Sequence, residues 1–200
     1  VVAINSTILE SIASSFKICI NNHENKMKIT YVANSAIPST SANSIHVMKI
    51  CSAFAVNGNC SEVELIVPNC GDKNVHPSVS NYQYYGVSPS FRISFIRIIS
   101  RSPTGISNII FAFIASIKSK LNKSSFVLTR NPFAAIGCSL LRIPVFLELH
   151  GPVSQISNRL HMYFSNSKLL SSKYIIKIIV ISEALRQIIA SQYPHVSDKI

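Results

Sequence analysis

The sequence predicts an α/β domain in which helices cover both faces of a mainly parallel, Rossmann-like sheet. Short runs rich in Ile, Val and Leu alternate about six times with longer helical segments. Strands that are apolar throughout are typical of a parallel sheet buried on both faces. The chain has 200 residues, of which 48% are apolar and 14% charged, so it is long enough to bury such a core and too apolar to be disordered.

The first half of the sequence predicts three strands and one long helix. Residues 44–58 predict a helix that is apolar almost all round, with His46 and Lys49 in a narrow polar stripe, and that ends at Gly58. Residues 69–90 are polar and rich in turn formers, so they predict a loop. The strands are KITYVAN (28–34), EVELIVP (62–68) and SFRISFIRI (90–98).

Helix start signals predict where the helices in the second half of the sequence begin. Ser102-Pro103 and Asn131-Pro132 each place an N-cap residue before a proline at the first helical position. Ser182 precedes the last helix, and we interpret Ser182 and Glu183 as a plain helix cap. The predicted helices are 103–122, 133–142, 154–171 and the segment after Ser182, and the strands are 125–130, 143–150 and 174–182.

Residues 1–26 are expected to lie outside the fold, as a leader, a helical arm or non-native upstream sequence. They lack the basic front and the cleavage site of a secretory signal, and Met27 resembles a natural start. The longest membrane-like run, Ile109 to Ile117, has nine residues, whereas a spanning helix needs about 20. The five cysteines form no Cys-x-x-Cys pair and have no zinc-like His spacing, which predicts reduced, buried thiols in a cytoplasmic protein.

Positive charge is concentrated in the middle of the chain. The formal net charge is +11, and no acidic residue lies between Asp72 and Glu148. Such a surface could bind nucleic acid, an anionic membrane or phosphorylated substrates. The aromatic residues lie mostly in apolar strings such as Phe111-Ala112-Phe113, which disfavours nucleic acid.

The absence of several motifs excludes common enzyme classes. The loop from Asn34 to Asn43, after the first predicted strand, contains no glycine and cannot be a Gly-x-Gly-x-x-Gly dinucleotide loop. No Walker-type Gly-Lys-Ser/Thr and no Gly-x-Ser-x-Gly occur. A standard nicotinamide or flavin dehydrogenase, a P-loop kinase and a nucleophile-elbow hydrolase are therefore disfavoured.

Polar residues follow two predicted strands at the edge where doubly wound sheets bind ligands. Arg130 and Asn131 follow the strand 125–130, where a guanidinium either binds phosphate or carboxylate or is a solvated strand end. Glu148 and His150 end the next strand, and His150 either exchanges a proton near neutral pH or simply faces water. We interpret four further histidines as surface residues: His23, His76, His161 and His195.

Three ordered segments resemble one family, the retaining glycosyltransferases of family 4, which have the GT-B fold. MKITYVANSAIPSTSANSIHVMKICSAFAVNG is similar to the family's first strand, acceptor-side loop and first helix. VLTRNPFAAIGCSLLRIPVFLELHGP is similar to its Tyr-Thr-Arg-Asn-Pro and Glu-x-His-x-Pro region, and IIVISEALRQIIASQYPHVSDKI to the segment that closes its N-terminal domain. The match covers about residues 27–200 and implies the acceptor-side half of the enzyme.

The resemblance implies a role for each residue that matches the family pattern. His150 would sit near the transferred sugar as the catalytic residue. Here Gly151 follows His150 where the family usually has an acid, and Ser-rich sequence replaces the usual Gly-Gly of the first loop. The substrate-binding residues would be Asn34, Ser35, Pro38, Asn43, Arg130, Asn131 and Glu148.

The implied reaction is transfer of a sugar from a nucleotide sugar to a polysaccharide or glycolipid acceptor with retention of configuration. No metal or cofactor is expected, because positive groups and helix N-termini would stabilise the leaving diphosphate. Most of those groups belong to a C-terminal nucleotide-sugar domain that this sequence lacks, so we expect activity to need that domain.

The expected location is the cytoplasm or the inner face of the plasma membrane, with the positive middle section against anionic lipid. Exposed apolar surface is expected to favour self-association, and no nucleic-acid partner is expected. The alternative function is a non-catalytic α/β module that binds a phosphorylated or anionic ligand.

Overall fold

The fold is a six-stranded sheet with helices on both faces. The computed structural model describes residues 27–56, 60–70, 79–97, 106–152 and 169–200. The strands are β1 (Met27–Val32), β2 (Cys60–Pro68), β3 (Arg92–Ile96), β4 (Phe126–Thr129), β5 (Val145–Leu149) and β6 (Ile175–Val180). The helices are α1 (Ala42–Val56), α2 (Asn81–Tyr85), α3 (Ile106–Leu121), α4 (Pro132–Leu140) and α5 (Glu183–Gln192), with 3-10 turns at Leu169–Ser171 and Pro194–Lys199.

All neighbouring strands are parallel, in the order β3-β2-β1-β4-β5-β6. This confirms the predicted doubly wound, Rossmann-like sheet. The chain winds outward from β1 through β2 to β3, then returns to the other side of β1 and winds outward again from β4 to β6. The direction of winding therefore reverses between β1 and β4, and doubly wound sheets bind their ligands outside the carboxyl ends of the strands at such a point.

Alternate strand residues point into two separate cores. One core packs against α1 and α2 and includes Ile29, Tyr31, Leu65, Leu128, Phe146, Val47 and Met48. The other packs against α3, α4 and α5 and includes Val32, Ile66, Val127, Leu147, Phe111, Ala134 and Leu185. Since side chains two apart on a strand share a face, Glu148 lies on the same side as Phe146 and faces α1.

Two predicted helix caps are confirmed. The Asn131 side chain accepts a hydrogen bond from the Phe133 amide at 3.0 Å, with Pro132 in the first turn of α4. The Ser182 hydroxyl accepts one from the Leu185 amide at 3.2 Å. These bonds satisfy amides that a helix leaves unpaired at its start, so Ser182 is a plain cap, as predicted.

The short helix α2 corrects the prediction of a loop over 69–90. Ser80 caps it by accepting from the Gln83 amide at 3.2 Å, and Gly86 ends it in the left-handed conformation at φ 60°. Five residues are too few to show a helical period in the sequence, so the segment was predicted from its polar composition alone.

The structure corrects the predicted burial of two side chains, Cys70 and His195. Cys51 and Cys138 are buried as expected, but Cys70, past the end of β2, is exposed. His195, interpreted as a surface residue, is half-buried, and its Nε2 is shielded from solvent because it lies in the turn that packs on α5.

Several predictions fall outside the described residues. They are the leader at 1–26, the helix end at Gly58, the start at Ser102-Pro103, the helix over 154–171 apart from Leu169–Ser171, and Cys19, His23, His76 and His161. Within the described part of the chain, no helix is both long enough and apolar enough to cross a bilayer.

Candidate functional site

Five of the predicted site residues meet at the carboxyl edge of the sheet. Ser35 lies in the loop after β1, Asn43 in the first turn of α1, Arg130 just after β4, Glu148 in β5 and His150 just after β5. We call these five residues the edge cluster. They flank the reversal point between β1 and β4, where doubly wound sheets bind ligands.

Glu148 is the centre of the edge cluster. Its side chain is fully buried. Its Oε1 accepts hydrogen bonds from Arg130 Nη2 at 2.8 Å and from His150 Nε2 at 2.5 Å. Its Oε2 accepts one from the Tyr31 hydroxyl at 3.1 Å. Because donors from β1 and from the residues just after β4 and β5 converge on it, this carboxylate fixes the relative positions of the polar groups at this edge.

The donors around Glu148 keep it ionised. Burial by itself would raise the pKa of Glu148, but the hydrogen bonds from His150 and Arg130, together with the nearby His46 ring, outweigh it and hold that pKa far below its ordinary range. Burial and the nearby Glu148 charge raise the pKa of Tyr31 well above its ordinary value. Tyr31 is therefore a neutral donor, and the negative charge resides on Glu148.

Arg130 is bonded on two sides. Nη1 donates to Asn43 Oδ1 at 2.5 Å and Nη2 donates to Glu148, while Asn43 Nδ2 in turn donates to Ser35 Oγ at 2.6 Å. Burial would lower the pKa of Arg130, but the bond to Glu148 raises it above its ordinary value. The Arg130 side chain is only 17% exposed, so its interpretation as a solvated strand end is wrong.

His150 is the member of the edge cluster that water reaches best. Its side chain is 41% exposed, although its Nε2 is held by Glu148. Since an ionised carboxylate only accepts hydrogen bonds, Nε2 must carry a proton. Nδ1 is then the nitrogen that could accept a proton from a ligand or, when protonated, donate a hydrogen bond to one. A buried acid thus orients an accessible imidazole.

His46 is a neighbour that the sequence interpretation did not assign to the site. Its Nε2 lies 3.5 Å from Glu148 Oε1 and is shielded from solvent without a well-directed hydrogen bond. The His46 and His150 rings lie 6.2 Å apart at 84°. His46 follows Asn43 by three residues and so shares its helix face. The signal in the sequence was one polar stripe on an otherwise apolar, buried helix.

The other three predicted site residues, Asn34, Pro38 and Asn131, lie outside the edge cluster. Asn34 is exposed and Pro38 is half-buried after a cis peptide bond, and no hydrogen bond among the described residues joins either one to the edge cluster. Asn131 is buried, and its Nδ2 donates to Asn108 Oδ1 at 2.7 Å while its oxygen caps α4. Asn131 thus connects α4 to α3.

A second buried carboxylate, Glu64, faces the opposite core. Its contacts hold elements of the fold together. It accepts hydrogen bonds from Ser94 Oγ at 2.6 Å and Asn122 Nδ2 at 2.5 Å. Arg92 Nη2 and Lys118 Nζ lie 3.3 Å and 3.6 Å from the same carboxylate. These contacts join β2 to β3 and to the end of α3, whereas Glu148 holds an accessible histidine.

The part of the chain that the structure describes contains no group of three or more His, Cys, Asp or Glu side chains suited to a metal ion. Glu148 and the two histidines do not form one, because Arg130 and His150 already occupy the same carboxylate oxygen.

Comparison with known proteins does not identify a family. A scan against protein-family models found no match to this chain, and a search of the curated proteins found none either. The fold and the edge cluster are therefore the basis for assigning a function.

Proposed function

We propose that this chain is the acceptor-side half of a retaining, GT-B glycosyltransferase of family 4, with its substrate contacts at the edge cluster. One observation carries the proposal. Asn43, Arg130, Glu148 and His150, which come from two of the three segments that resemble the family, converge in one hydrogen-bonded cluster at the reversal point of a parallel sheet. Parallel sheets of this kind bind nucleotides and sugars at that point.

The charge balance of the edge cluster favours a sugar over a phosphate as its direct ligand. The positive charge of Arg130 is matched by Glu148 at 2.8 Å, so the pair adds no net charge to the edge. The accessible group is the imidazole of His150, which can hydrogen-bond a sugar hydroxyl. His150 would bind and orient the transferred sugar, and Glu148 would hold the ring in one tautomer.

The phosphates of a nucleotide sugar would be bound mainly by a C-terminal donor domain. This half contributes helix N-termini, because α1 and α4 both begin at the edge of the sheet that carries the cluster. The partial positive charge of a helix N-terminus stabilises an anion such as the leaving diphosphate. We expect no metal to be needed for this step, and we expect the acceptor to be a polysaccharide or a glycolipid.

The alternative, a non-catalytic module for an anionic ligand, requires a cation that is free to bind the ligand at this edge. Arg130 is engaged by Asn43 and Glu148, which makes the alternative the weaker of the two. The two functions differ in what they require of Arg130 and His150, so one set of variants separates them.

The test is reconstitution of the full chain with the C-terminal donor domain of a family 4 glycosyltransferase. We expect acceptor-dependent release of nucleoside diphosphate, and we expect His150→Ala to lower kcat about 100-fold, because the variant no longer orients the sugar. Gln187→Ala, on the exposed side of α5, is the control and should leave the rate unchanged. No transfer by the reconstituted pair, or equal rates with and without His150, would contradict the proposal.

The alternative is tested with the chain alone. It predicts saturable binding of inorganic phosphate or a nucleoside monophosphate by calorimetry, lost in Arg130→Ala, without sugar transfer in the reconstituted pair. The glycosyltransferase proposal predicts only weak binding by this half, because the principal phosphate ligands belong to the donor domain.

A further inference from the structure

His46, beside the edge cluster, has a hydrogen-bond donor without an acceptor. Its side chain is 18% exposed, and its Nε2 is shielded from solvent and makes no hydrogen bond to any described residue. This nitrogen faces the Glu148 carboxylate and lies 3.5 Å from Oε1. Because a lone pair directed at an anion would be repelled, Nε2 carries the proton of the ring. His46 is therefore a donor held just beyond bonding distance of a buried anion.

The number of donors on Glu148 explains why His46 has no acceptor. A carboxylate oxygen has two lone pairs. Arg130 and His150 both donate to Oε1, at 2.8 Å and 2.5 Å, while the Tyr31 hydroxyl donates to Oε2. Oε1 is therefore saturated, and His46 is a third donor to an oxygen that accepts two. Loss of the bond from His150 would free a lone pair that His46 already faces.

The two histidines differ in their freedom to move. The His150 side chain is 41% exposed and lies just after β5, whereas His46 lies on α1, between the buried sheet face and its fully buried neighbour Val47. The two rings are arranged edge to face, with centroids 6.2 Å apart. His150 can therefore turn toward a ligand while His46 stays beside the carboxylate. To bond Oε1, Nε2 of His46 has to approach by about 0.6 Å, from 3.5 Å to the usual value of about 2.9 Å.

We infer that His46 is a positioning residue that exchanges with His150 as a donor to Glu148. In the free protein His150 donates to Oε1. When His150 turns to donate to a ligand, His46 takes its place, so that Oε1 keeps two donors in both states. A buried charged acceptor that loses a partner incurs a large desolvation penalty. The exchange avoids this penalty and thereby lowers the free energy needed to release His150.

In the proposed sugar transfer, on which this use of the exchange rests, the ligand of His150 is a hydroxyl of the transferred sugar. Glu148 first fixes the tautomer of His150 with the proton on Nε2, and the released Nε2–H is then donated to the sugar oxygen. The exchange itself depends only on the geometry around Glu148. It is therefore measurable in the chain alone, without any reaction.

The first experiment is a double-mutant cycle, measured by urea unfolding of the full chain with His46→Phe, His150→Ala and both together. We expect His150→Ala to lower the folding equilibrium constant about tenfold more in the His46→Phe background than in the wild type, because neither histidine then bonds Oε1. The sign of this coupling is decisive. If the two rings only packed against each other, the second removal would cost less than the first, because the contact would already be lost.

Two variants are the controls for the cycle. His195, in the turn after α5, is a matched histidine because its Nε2 is also shielded and has no partner among the described residues. His195→Phe should leave the effect of His150→Ala unchanged. His46→Gln is the conservative variant, since its amide nitrogen donates from a similar position, and it should restore the wild-type response to His150→Ala. A residue that merely filled space would be replaced equally well by Phe.

The second experiment detects the new hydrogen bond by proton–nitrogen NMR of the imidazole groups. The His46 signals are identified by their absence from the spectrum of His46→Gln. In His150→Ala we expect the Nε2 proton of His46 to move downfield and to exchange more slowly with water, because it becomes bonded to a carboxylate. The His195 signals should not move.

The reconstituted enzyme provides a third measurement. His46→Phe should raise KM for the nucleotide sugar about tenfold with kcat little changed, because the penalty at Glu148 is incurred when the sugar binds, and His46→Gln should restore KM.

Three results would overturn the exchange: additive effects in the cycle, coupling of the opposite sign, or a His46 proton that does not move in His150→Ala. A reconstituted pair that transfers no sugar would contradict the proposed function and not the exchange, because the cycle and the spectra are obtained from this chain alone.

Discussion

Replacing Arg130 with methionine tests whether the edge cluster depends on its buried ion pair. Met keeps most of the length of the side chain and removes the charge and the donors. In the native protein Arg130 Nη2 lies 2.8 Å from a Glu148 carboxylate that is fully buried. The variant leaves Glu148 charged and buried, with His150 and Tyr31 as its remaining donors.

The expected cost follows from the charges involved. Two unit charges about 4 Å apart attract by about 4 kcal/mol at an effective dielectric constant of 20. Removing one partner of a buried pair typically costs 3–5 kcal/mol, because the other charge is left unpaired. Since two donors remain on Glu148, we expect a loss near the lower end, about 3 kcal/mol, against a total stability of about 5–15 kcal/mol.

Urea unfolding followed by circular dichroism measures this loss. At a denaturant slope of about 2–3 kcal/mol per molar, the midpoint should fall by about 1 M urea. Arg186→Met is the matched control, because Arg186 also contacts a glutamate, Glu183, but both side chains are exposed. We expect no measurable change of midpoint in the control.

The pH dependence gives an independent check. Because the pKa of folded Glu148 is depressed, its stabilising contribution is complete above the unfolded-state pKa of about 4.3 and is lost as the pH falls below that value. This one proton changes the free energy of unfolding by about 1.4 kcal/mol per pH unit. The stability difference between wild type and Arg130→Met should therefore be largest near neutral pH and should narrow below about pH 4.

Two results would refute this reasoning. A midpoint shift for Arg130→Met no larger than that for Arg186→Met would mean that the buried pair has no special role. A stability difference that stays constant from pH 7 to acid would mean that the loss does not come from the Glu148 charge.

Further predictions concern helix packing and the thiols. Asn131→Ala should lower the free energy of unfolding by about 1–2 kcal/mol, because it removes the cap of α4, and an unchanged thermal midpoint would contradict that role. Gly137→Ala should lower the free energy of unfolding by about 1–2 kcal/mol, because the added Cβ would lie 2.5 Å from Ser116 Oγ. Adding Ser116→Ala should recover part of this loss. An equal loss with and without Ser116→Ala would exclude the clash. Burial raises the pKa of Cys138 to about 11, so iodoacetamide at pH 8 should modify the exposed Cys70 first, and equal modification by mass spectrometry would show that α4 opens.

Local signals in the sequence were sufficient for most of the framework. Asn131 and Ser182 are caps because their side chains bond amides two or three residues away, an interaction that depends on nearby residues only. The strands were predictable because burial on both faces leaves continuous apolar runs. Helix α2 was missed, since five residues do not establish a period.

The candidate site was predictable in position and less so in its contacts. Arg130, Glu148 and His150 end strands, and parallel strands bring their carboxyl ends to one edge, so their proximity followed from the fold class. The burial of Glu148 did not follow from the fold class, because it depends on which face of the strand α1 covers. His46 was missed for the same reason: a polar residue on an apolar helix has no assigned partner until the helix is packed.

The sequence by itself determined the α/β alternation, the parallel sheet, the caps and the edge at which polar residues collect, because these depend on local backbone preferences and on chain order. Only the tertiary structure decided that Glu148 accepts from Arg130, His150 and Tyr31, and that the large side chains of α3 face outward. The physical reason is the same in both cases. The sequence of a helix or strand that is apolar on every side does not show which side will be buried. Packing against the neighbouring elements decides it.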